Sequence, residues 1–257
     1  MTVCLPVYKE SASAAQAVRQ VVAFALRHPE IELVFTDDGS PDDTPDIIER
    51  EILAAEIAHP GLTGRVRLIR GGVNRGKAGV IRLAIERLTG DPLSGPARPA
   101  AAPIFVFMDG DMAYDPDHLL EMRRMLEQYD VVIGSRHMSE AGRGPQGLLR
   151  RVMGVVFNTL SRICLRRAYR DTQAGLKGFR TPAAREIFRR LTVTDFSFDV
   201  ELLFIARKRG YSIGEMPATV SAEHRRVPSN VRLFRDPLRM FLSLLRIRLN
   251  AWRGRYR

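Results

Sequence analysis

This sequence predicts an α/β fold, a mostly parallel sheet with helices on both faces. Three observations point to it. Over the first 136 residues, β-rich apolar runs alternate with amphipathic helical stretches, the pattern of strands joined by helical crossovers. One run, Ile104-Phe105-Val106-Phe107-Met108, is apolar throughout, as a buried central strand is. At 257 residues and 45% hydrophobic, the chain has the composition of a globular protein and is long enough to bury a sizeable core.

The elements follow in order. Residues 3–7 form a short apolar strand. Ala14, Val18, Val21, Val22 and Ala25 share one face of a helix over 11–28, with Ser11 as its N-cap. Strand 32–36 runs into Asp37-Asp38-Gly39-Ser40, and a helix over 43–58 follows. A strand over 65–69 precedes a helix over 76–88. The stretch 90–103 holds four prolines, two glycines and three consecutive alanines, which marks a surface excursion. Strand 104–108 ends in Asp109-Gly110-Asp111, and a helix over 116–128 and a strand over 131–134 come next. A polar loop over 139–147 leads into a basic amphipathic helix over 148–168. Residues 171–222 return to compact α/β character, with a helix over 198–209. A terminal helix starts near Pro237, with Asp236 as N-cap and proline at the first helical position. No internal repeat interrupts this order.

The net charge of +11 is not spread evenly. Residues 141–170 carry seven arginines and no acids, residues 223–257 carry ten arginines and two acids, and the remainder is net acidic. Both basic segments also carry helical apolar stripes: Leu149, Val152, Met153, Val156, Leu160 and Ile163 in one, Leu238, Phe241, Leu242, Leu245 and Leu249 in the other. Arginines beside an apolar stripe suit an anionic membrane surface better than a nucleic acid, which calls for a more uniform basic face. The plainer alternatives are two solvated helices, stripes packed on the core, or a dimer contact. No run of about 18 apolar residues is present, so no spanning helix is expected. The opening Met1-Thr2-Val3-Cys4-Leu5 has no basic start of the kind a signal peptide shows. Two cysteines, Cys4 and Cys164, without metal-ligand spacing point to a reducing compartment and no disulfide framework.

Three strand-end motifs carry candidate chemistry. In Asp109-Gly110-Asp111, two carboxylates spaced by one small residue can share a hard cation through oxygen ligands, and such a cation would stabilise a diphosphate leaving group. Asp38, at the end of its strand, can accept hydrogen bonds from a ribose or a base N–H. Asn74-Arg75-Gly76-Lys77-Ala78-Gly79 enters a helix with small residues, which suits approach of a phosphate. It lacks the glycine and Lys-Ser/Thr spacing of a P-loop NTPase. Alone, Asp-x-Asp mostly means a turn or a helix cap, and an isolated Asp-Asp-Gly-Ser an ordinary turn with Asp as a cap; the position of Asp109-Gly110-Asp111 after a very apolar strand raises its weight.

Taken in order, Leu5-Pro6-Val7-Tyr8-Lys9-Glu10, Asp37-Asp38-Gly39-Ser40, the Asn-Arg-Gly-Lys segment and Asp-Gly-Asp resemble the family 2 glycosyltransferases. Three later segments are similar to the dolichyl-phosphate glucosyl- and mannosyltransferase branch: Val132-Ile133-Gly134-Ser135-Arg136, the run from Asp171 to Arg180, and Phe198-Asp199-Val200-Glu201-Leu202-Leu203. The tail over 235–248 resembles its glucosyltransferase side. The resemblance implies a GT-A fold over 1–222, with a nucleotide-sugar-binding half (1–136), a loop and basic helix (139–170), an acceptor-side half (171–222) and a basic C-terminal segment (223–257).

It implies an inverting, metal-dependent transfer of a hexose to a polyprenyl phosphate. The donor is a UDP-hexose by the glucosyl-like tail, with GDP-mannose open. The chain would be cytoplasmic and peripheral on the cytoplasmic membrane face. Pro6, Tyr8, Glu10 and Asp38 would hold the base and ribose, with Lys77 and Gly110 also against the donor, and Asp109 and Asp111 would hold Mg²⁺ or Mn²⁺ on its diphosphate. Arg136 would contact a phosphate of donor or lipid, and Gln173, Lys177 and Asp199 would lie by the sugar and acceptor. Arg225 and Arg226 sit where the branch places basic residues near the site, or they meet membrane or solvent. A lipid phosphate is ionised near neutral pH and needs no strong base; for a hydroxyl acceptor, Asp199 is the candidate base.

The chain departs from the usual pattern at Lys9 (commonly Asn), Gly110 (commonly Ala) and Asn230 (often Lys), and Ala113 is not a ligand type. A soluble-acceptor transferase and a non-catalytic nucleotide-sugar-binding module are the competing readings. A nucleic-acid binder would leave the ordered motifs unexplained.

Overall fold

The computed structural model describes residues 1–90, 102–138, 169–195, 197–221 and 235–256, with Thr159, Ser161 and Leu165. Seven strands and seven α-helices are named here: β1 (Thr2–Val7), α1 (Ala14–Arg27), β2 (Glu32–Asp37), α2 (Thr44–Ala58), β3 (Val66–Arg70), α3 (Gly76–Thr89), β4 (Ile104–Met108), α4 (His118–Met125), β5 (Val131–Ser135), β6 (Leu176–Arg180), α5 (Thr181–Arg190), α6 (Phe198–Lys208), β7 (Ile213–Pro217) and α7 (Arg235–Trp252). They make one sheet in the order β3-β2-β1-β4-β6-β5-β7. All neighbours run parallel except β6, which is antiparallel to both β4 and β5. The expected mostly parallel α/β architecture is present.

Period-two alternation divides the core between the two sheet faces. Cys4, Phe105 and Phe107 point to one face, where α3, α5 and α6 supply Ile81, Ile187 and Leu202. Val3, Leu5, Val106 and Met108 point to the other, under Val18 and Phe24 of α1 and Ile48 of α2. Phe107 stands among Phe179, Phe188 and Phe198, with ring centroids 6.1, 6.3 and 6.5 Å away. Cys4 is a free thiol in this core, and burial pushes its pKa up to about 12.

Several boundaries differ from expectation. Helix α1 starts at Ala14, so Ser11 is not its cap. The reason is Glu10, whose carbonyl accepts the N–H groups of Ser13 and Ala14 and whose carboxylate accepts the Ser13 hydroxyl at 2.9 Å. The helix expected over 116–128 is shortened to His118–Met125. Helix α7 begins at Arg235. Of the expected helix over 148–168, only Thr159, Ser161 and Leu165 are described; they are helical, and Ser161 and Leu165 are buried. Its apolar stripe and Cys164 lie outside the described residues, as does the proline-rich stretch from 91 to 101.

Helix α7 packs one face on the core through Leu244, Ile247 and Asn250. The Asn250 amide donates to Thr192 Oγ1 at 2.9 Å, and the Ser243 hydroxyl to Asp195 Oδ2 at 2.6 Å. Beyond the helix, the buried Tyr256 hydroxyl donates to the carboxylate of Glu201 in α6. Phe241, Leu242, Leu245, Leu249 and Trp252 remain exposed. No described helix is long and apolar enough to cross a membrane.

Candidate active site

Strand order reverses between β1 and β4: the chain winds outward from β1 through β2 to β3, then returns to start β4 on the other side of β1. The crevice at the carboxyl ends of these strands is where open α/β sheets take ligands. Each acidic motif sits there, because each follows one of these strands.

The β2 end is built by Asp37, whose buried carboxylate accepts the N–H groups of Gly39 and Ser40. Gly39 has φ +69°, and an added Cβ would lie 2.6 Å from the Val73 backbone, so the 71–76 loop closes directly over it. Asp38 Oδ1 accepts the Arg75 N–H at 2.7 Å, which fixes the start of α3. Burial raises its pKa. On the β1 side, the Lys9 N–H donates to Ser40 Oγ at 3.0 Å and the Glu10 N–H to Thr44 Oγ1 at 2.8 Å. Tyr8 stands half exposed, with the Lys9 ammonium 5.4 Å from its ring centroid.

At the β4 end, Asp109 is held from two sides. Its N–H donates to the Gly175 carbonyl at 2.9 Å, and its Oδ1 pairs with the Lys77 ammonium. A Cβ on Gly175 would lie 1.8 Å from Asp109 Oδ2, so only glycine leaves room for this carboxylate. Gly110 is equally confined: an added Cβ would lie 2.5 Å from Val7 Cγ1 and 2.7 Å from the Pro6 carbonyl, which accepts the Gly110 N–H. That contact is a physical reason for glycine at this position. Asp111 Oδ1 accepts the Ala113 N–H at 2.9 Å across a turn in which Met112 has φ +59°.

Beyond β4, the Arg136 guanidinium grips the buried Asp171 in a fork, Nε to Oδ2 at 2.7 Å and Nη2 to Oδ1 at 3.0 Å. Asp171 also accepts the Gln173 N–H at 3.0 Å. Tyr114 Oη accepts the Gly175 N–H at 3.2 Å, and burial pushes the phenol up to about 12. Lys177 is fully buried; its ammonium donates to Asp199 Oδ1 at 2.7 Å and to the Ala174 carbonyl at 2.6 Å. Lys77 and Lys177 lie 5.7 and 5.6 Å from the Phe107 ring centroid, so the two ion pairs flank one aromatic ring.

Pro6, Tyr8, Glu10, Asp38, Lys77, Asp109, Gly110 and Asp111 therefore gather at the ends of β1, β2 and β4. Arg136, Gln173, Lys177 and Asp199 lie on the β5, β6 and α6 side. Lys177 has no surface to offer an acceptor, because both its partners are internal. Arg225 and Arg226 lie outside the described residues. Asp171, Tyr114 and Gly175 were not singled out in sequence, although two of them sit inside a recognised segment. The signal available was Asp171 opening that segment and a glycine just before a strand.

The Arg136–Asp171 pair makes a pH-dependent prediction. Burial alone would raise the Asp171 pKa, but the hydrogen bonds and charge of Arg136 outweigh it and hold the carboxyl below its usual range. An unfolded aspartate protonates near pH 4, roughly 3.9, before the folded one does. The pair's contribution is thus present above about pH 4 and lost as pH falls through the folded value. Asp171→Asn should lose about 1–2 kcal/mol at pH 7, discounted because Arg136 is partly exposed, with the gap to wild type closing toward pH 3. Urea unfolding at the two pH values checks this.

A metal fits the donor chemistry at the β4 end. Asp109 and Asp111 offer hard carboxylate oxygens, and among the described residues no group of three possible ligands occurs. Two protein carboxylates with the remaining positions left to phosphate and water is a common arrangement for Mg²⁺.

An open mixed sheet with acidic loops over its switch point is the GT-A architecture of glycosyltransferases. The chain belongs to glycosyl transferase family 2, whose model matches residues 2–190. It is 30% identical over 253 residues to glycosyltransferase AglD of Haloferax volcanii, covering 96% of this chain and 36% of that protein. It is 29% identical over 234 residues to the dolichyl-phosphate beta-glucosyltransferase of Homo sapiens, covering 88% of this chain and 66% of that one. The chain thus spans between about a third and two thirds of these relatives' lengths. The fold is similar to that of glucosyl-3-phosphoglycerate synthase from Mycobacterium tuberculosis solved with UDP, with TM-score 0.63 at 17% identity, covering 96% of this chain and 79% of that one. It is also similar to a Pyrobaculum calidifontis mannosyltransferase solved with GDP-Man and Mn²⁺, with TM-score 0.52 at 18% identity, covering 95% of this chain and 69% of that one.

Proposed function

We propose that this chain is an inverting hexosyltransferase that moves glucose from a UDP-sugar, with GDP-mannose as the second donor choice, onto a polyprenyl phosphate. The observation that carries the reading is the placement of Asp109, Asp111 and Lys77 together at the switch-point crevice, where a nucleoside diphosphate would lie. Relatives named for dolichyl-phosphate glucosylation support the acceptor and the sugar.

Asp38 and Glu10 would orient the nucleoside. Asp109 and Asp111 would hold Mg²⁺ or Mn²⁺, which supplies charge neutralisation to the departing diphosphate. Lys77, at the start of α3, would take a phosphate oxygen where the helix terminus favours negative charge. Arg136, held by Asp171, presents fixed positive charge against the repulsion between two anionic substrates. The acceptor phosphate is already anionic, so in-line attack on the anomeric carbon breaks its bond to the diphosphate without a base removing a proton. The buried Asp199, already paired with Lys177, supports a reaction that does not need one.

The test is a donor screen. Purified protein with Mg²⁺ or Mn²⁺ and a short polyprenyl phosphate is offered UDP-glucose, other UDP-hexoses and GDP-mannose in turn. Lipid-dependent release of UDP from UDP-glucose is the expected result. Donor binding without release from any donor would sink the enzymatic reading in favour of a binding module.

The outward face of α7 fits an anionic lipid surface at the cytoplasmic membrane face. Leu242, Leu245, Leu249 and Trp252 recur at helical spacing and are 55, 52, 43 and 85% exposed, with Arg246, Arg248 and Arg253 beside them. The arginines can reach headgroups while the stripe enters the interface. Wild type should float with phosphatidylglycerol-rich vesicles at low salt, and the double variant Leu245→Glu, Trp252→Glu should stay in the soluble fraction. Equal flotation of both would remove α7 from the docking surface.

A further inference from the structure

We propose that Lys77 is a tethered cation that holds the place of the divalent ion: its ammonium occupies Asp109 until a donor diphosphate draws it off, so metal binds weakly to the bare protein and tightly once nucleotide is present. The inference rests on the proposed metal-assisted transfer and adds an order of assembly to it.

The two oxygens of Asp109 face different neighbours. Oδ1 pairs with the Lys77 ammonium. Oδ2 lies against Gly175, where an ideal Cβ would be 1.8 Å from it. Its backbone is fixed, because its own N–H is bound to the Gly175 carbonyl and β4 is zipped to β6 from Met108–Leu176 onward, so only side-chain rotation could move the carboxylate. A divalent ion that uses this carboxylate therefore sits at close range to an ammonium that repels it in a partly desolvated site.

Lys77 is built to yield. Its backbone is anchored, since Asp38 holds the Arg75 N–H two residues earlier at 2.7 Å, but its ammonium rides on a flexible four-carbon stem. Its other anionic neighbour, Asp199, already accepts the Lys177 ammonium at 2.7 Å. A diphosphate arriving at the α3 terminus offers the ammonium a new anion and leaves Asp109 Oδ1 to the metal. Nucleotide and metal then favour each other's binding by reciprocal linkage.

The experiment titrates Mn²⁺ into wild type, Lys77→Met and Lys77→Arg, with and without UDP, and reads free Mn²⁺ by electron paramagnetic resonance. Lys77→Met should bind Mn²⁺ without UDP about ten-fold or more tighter than wild type, and UDP should enhance that binding less. Lys77→Arg, which keeps the charge, should resemble wild type. Equal or weaker Mn²⁺ binding by Lys77→Met without UDP overturns the proposal; Lys77→Gln repeats the comparison if Lys77→Met does not fold. Asp111→Ala separates the two levels of argument. If it abolishes Mn²⁺ binding while Lys77→Met fails to tighten it, only the role of Lys77 falls. If it leaves Mn²⁺ binding intact, the metal site assigned to Asp109 and Asp111 falls, and this inference with it.

Discussion

Gly175→Ala should cost nearly as much activity as removing the Asp109 carboxylate, a fall of at least about 100-fold in sugar transfer. A Cβ built there would lie 1.8 Å from Asp109 Oδ2 and 2.2 Å from Cγ, far inside contact distance. Backbone retreat is blocked, because Asp109 N–H binds the Gly175 carbonyl and the β4–β6 ladder begins at the next pair, Met108–Leu176. The side chain must swing instead, which takes it off Lys77 and away from Asp111. Stability should fall as well, by the roughly 1–3 kcal/mol of an overpacked site. Gly178→Ala is the control. Three residues on, inside β6, its Cβ would crowd Met122 Sδ at 2.6 Å and Leu126 Cδ1 at 2.8 Å, which are side-chain ends remote from the carboxylates. It should lower the melting temperature while leaving turnover per folded molecule near wild type. Equal loss of turnover in the two variants would show that Gly175 acts through general stability and not through Asp109.

That glycine also marks where the sequence stops being readable. β1 through β5 announce themselves by apolar runs, and Asp38, Asp109 and Asp111 follow directly because each terminates such a run. β6 does not: Leu-Lys-Gly-Phe-Arg puts a lysine and a glycine at the centre of a strand, so no apolar run marks it. The lysine is tolerated only because Asp199, 22 residues further on in α6, meets it in the interior, and the glycine because α4 packs against it. Neither partner is visible from local pattern. The use of Gly175 depends in turn on β6 lying antiparallel beside β4. Helix α7 shows the converse. Phe241, Leu242, Leu245 and Leu249 form an apolar stripe in sequence and are exposed in the structure, while the docked face is Leu244, Ile247 and Asn250. Helical spacing identifies a stripe, and only the tertiary partners Thr192, Asp195 and Glu201 decide which side faces inward.

Lys177→Met should be the most destabilising single change near the site, costing about 3–5 kcal/mol at pH 7, because it leaves the Asp199 carboxylate buried without its partner. The lysine is 0% exposed and the Asp199 side chain 8%, so water cannot replace the lost ammonium. The sign of the pH dependence follows from burial. Desolvation raises the Asp199 pKa even with Lys177 present, and removing that cation raises it further. A carboxyl whose folded pKa lies above the unfolded one, roughly 3.9, favours folding at low pH and loses that contribution as pH rises through the folded value. Lys177→Met should therefore be closest to wild type in mildly acidic buffer and fall progressively behind it toward neutrality. The double variant Lys177→Met, Asp199→Leu should recover most of the loss, since a buried ion pair exchanged for apolar groups is often near neutral.

The same series decides what Asp199 does. If it only keeps β6 and α6 in register beneath Phe107, the double variant should transfer sugar at a rate within about ten-fold of wild type once folded, as suits an acceptor phosphate that needs no base. If it removes a proton, restored stability would come without restored turnover, and the acceptor would have to be a hydroxyl.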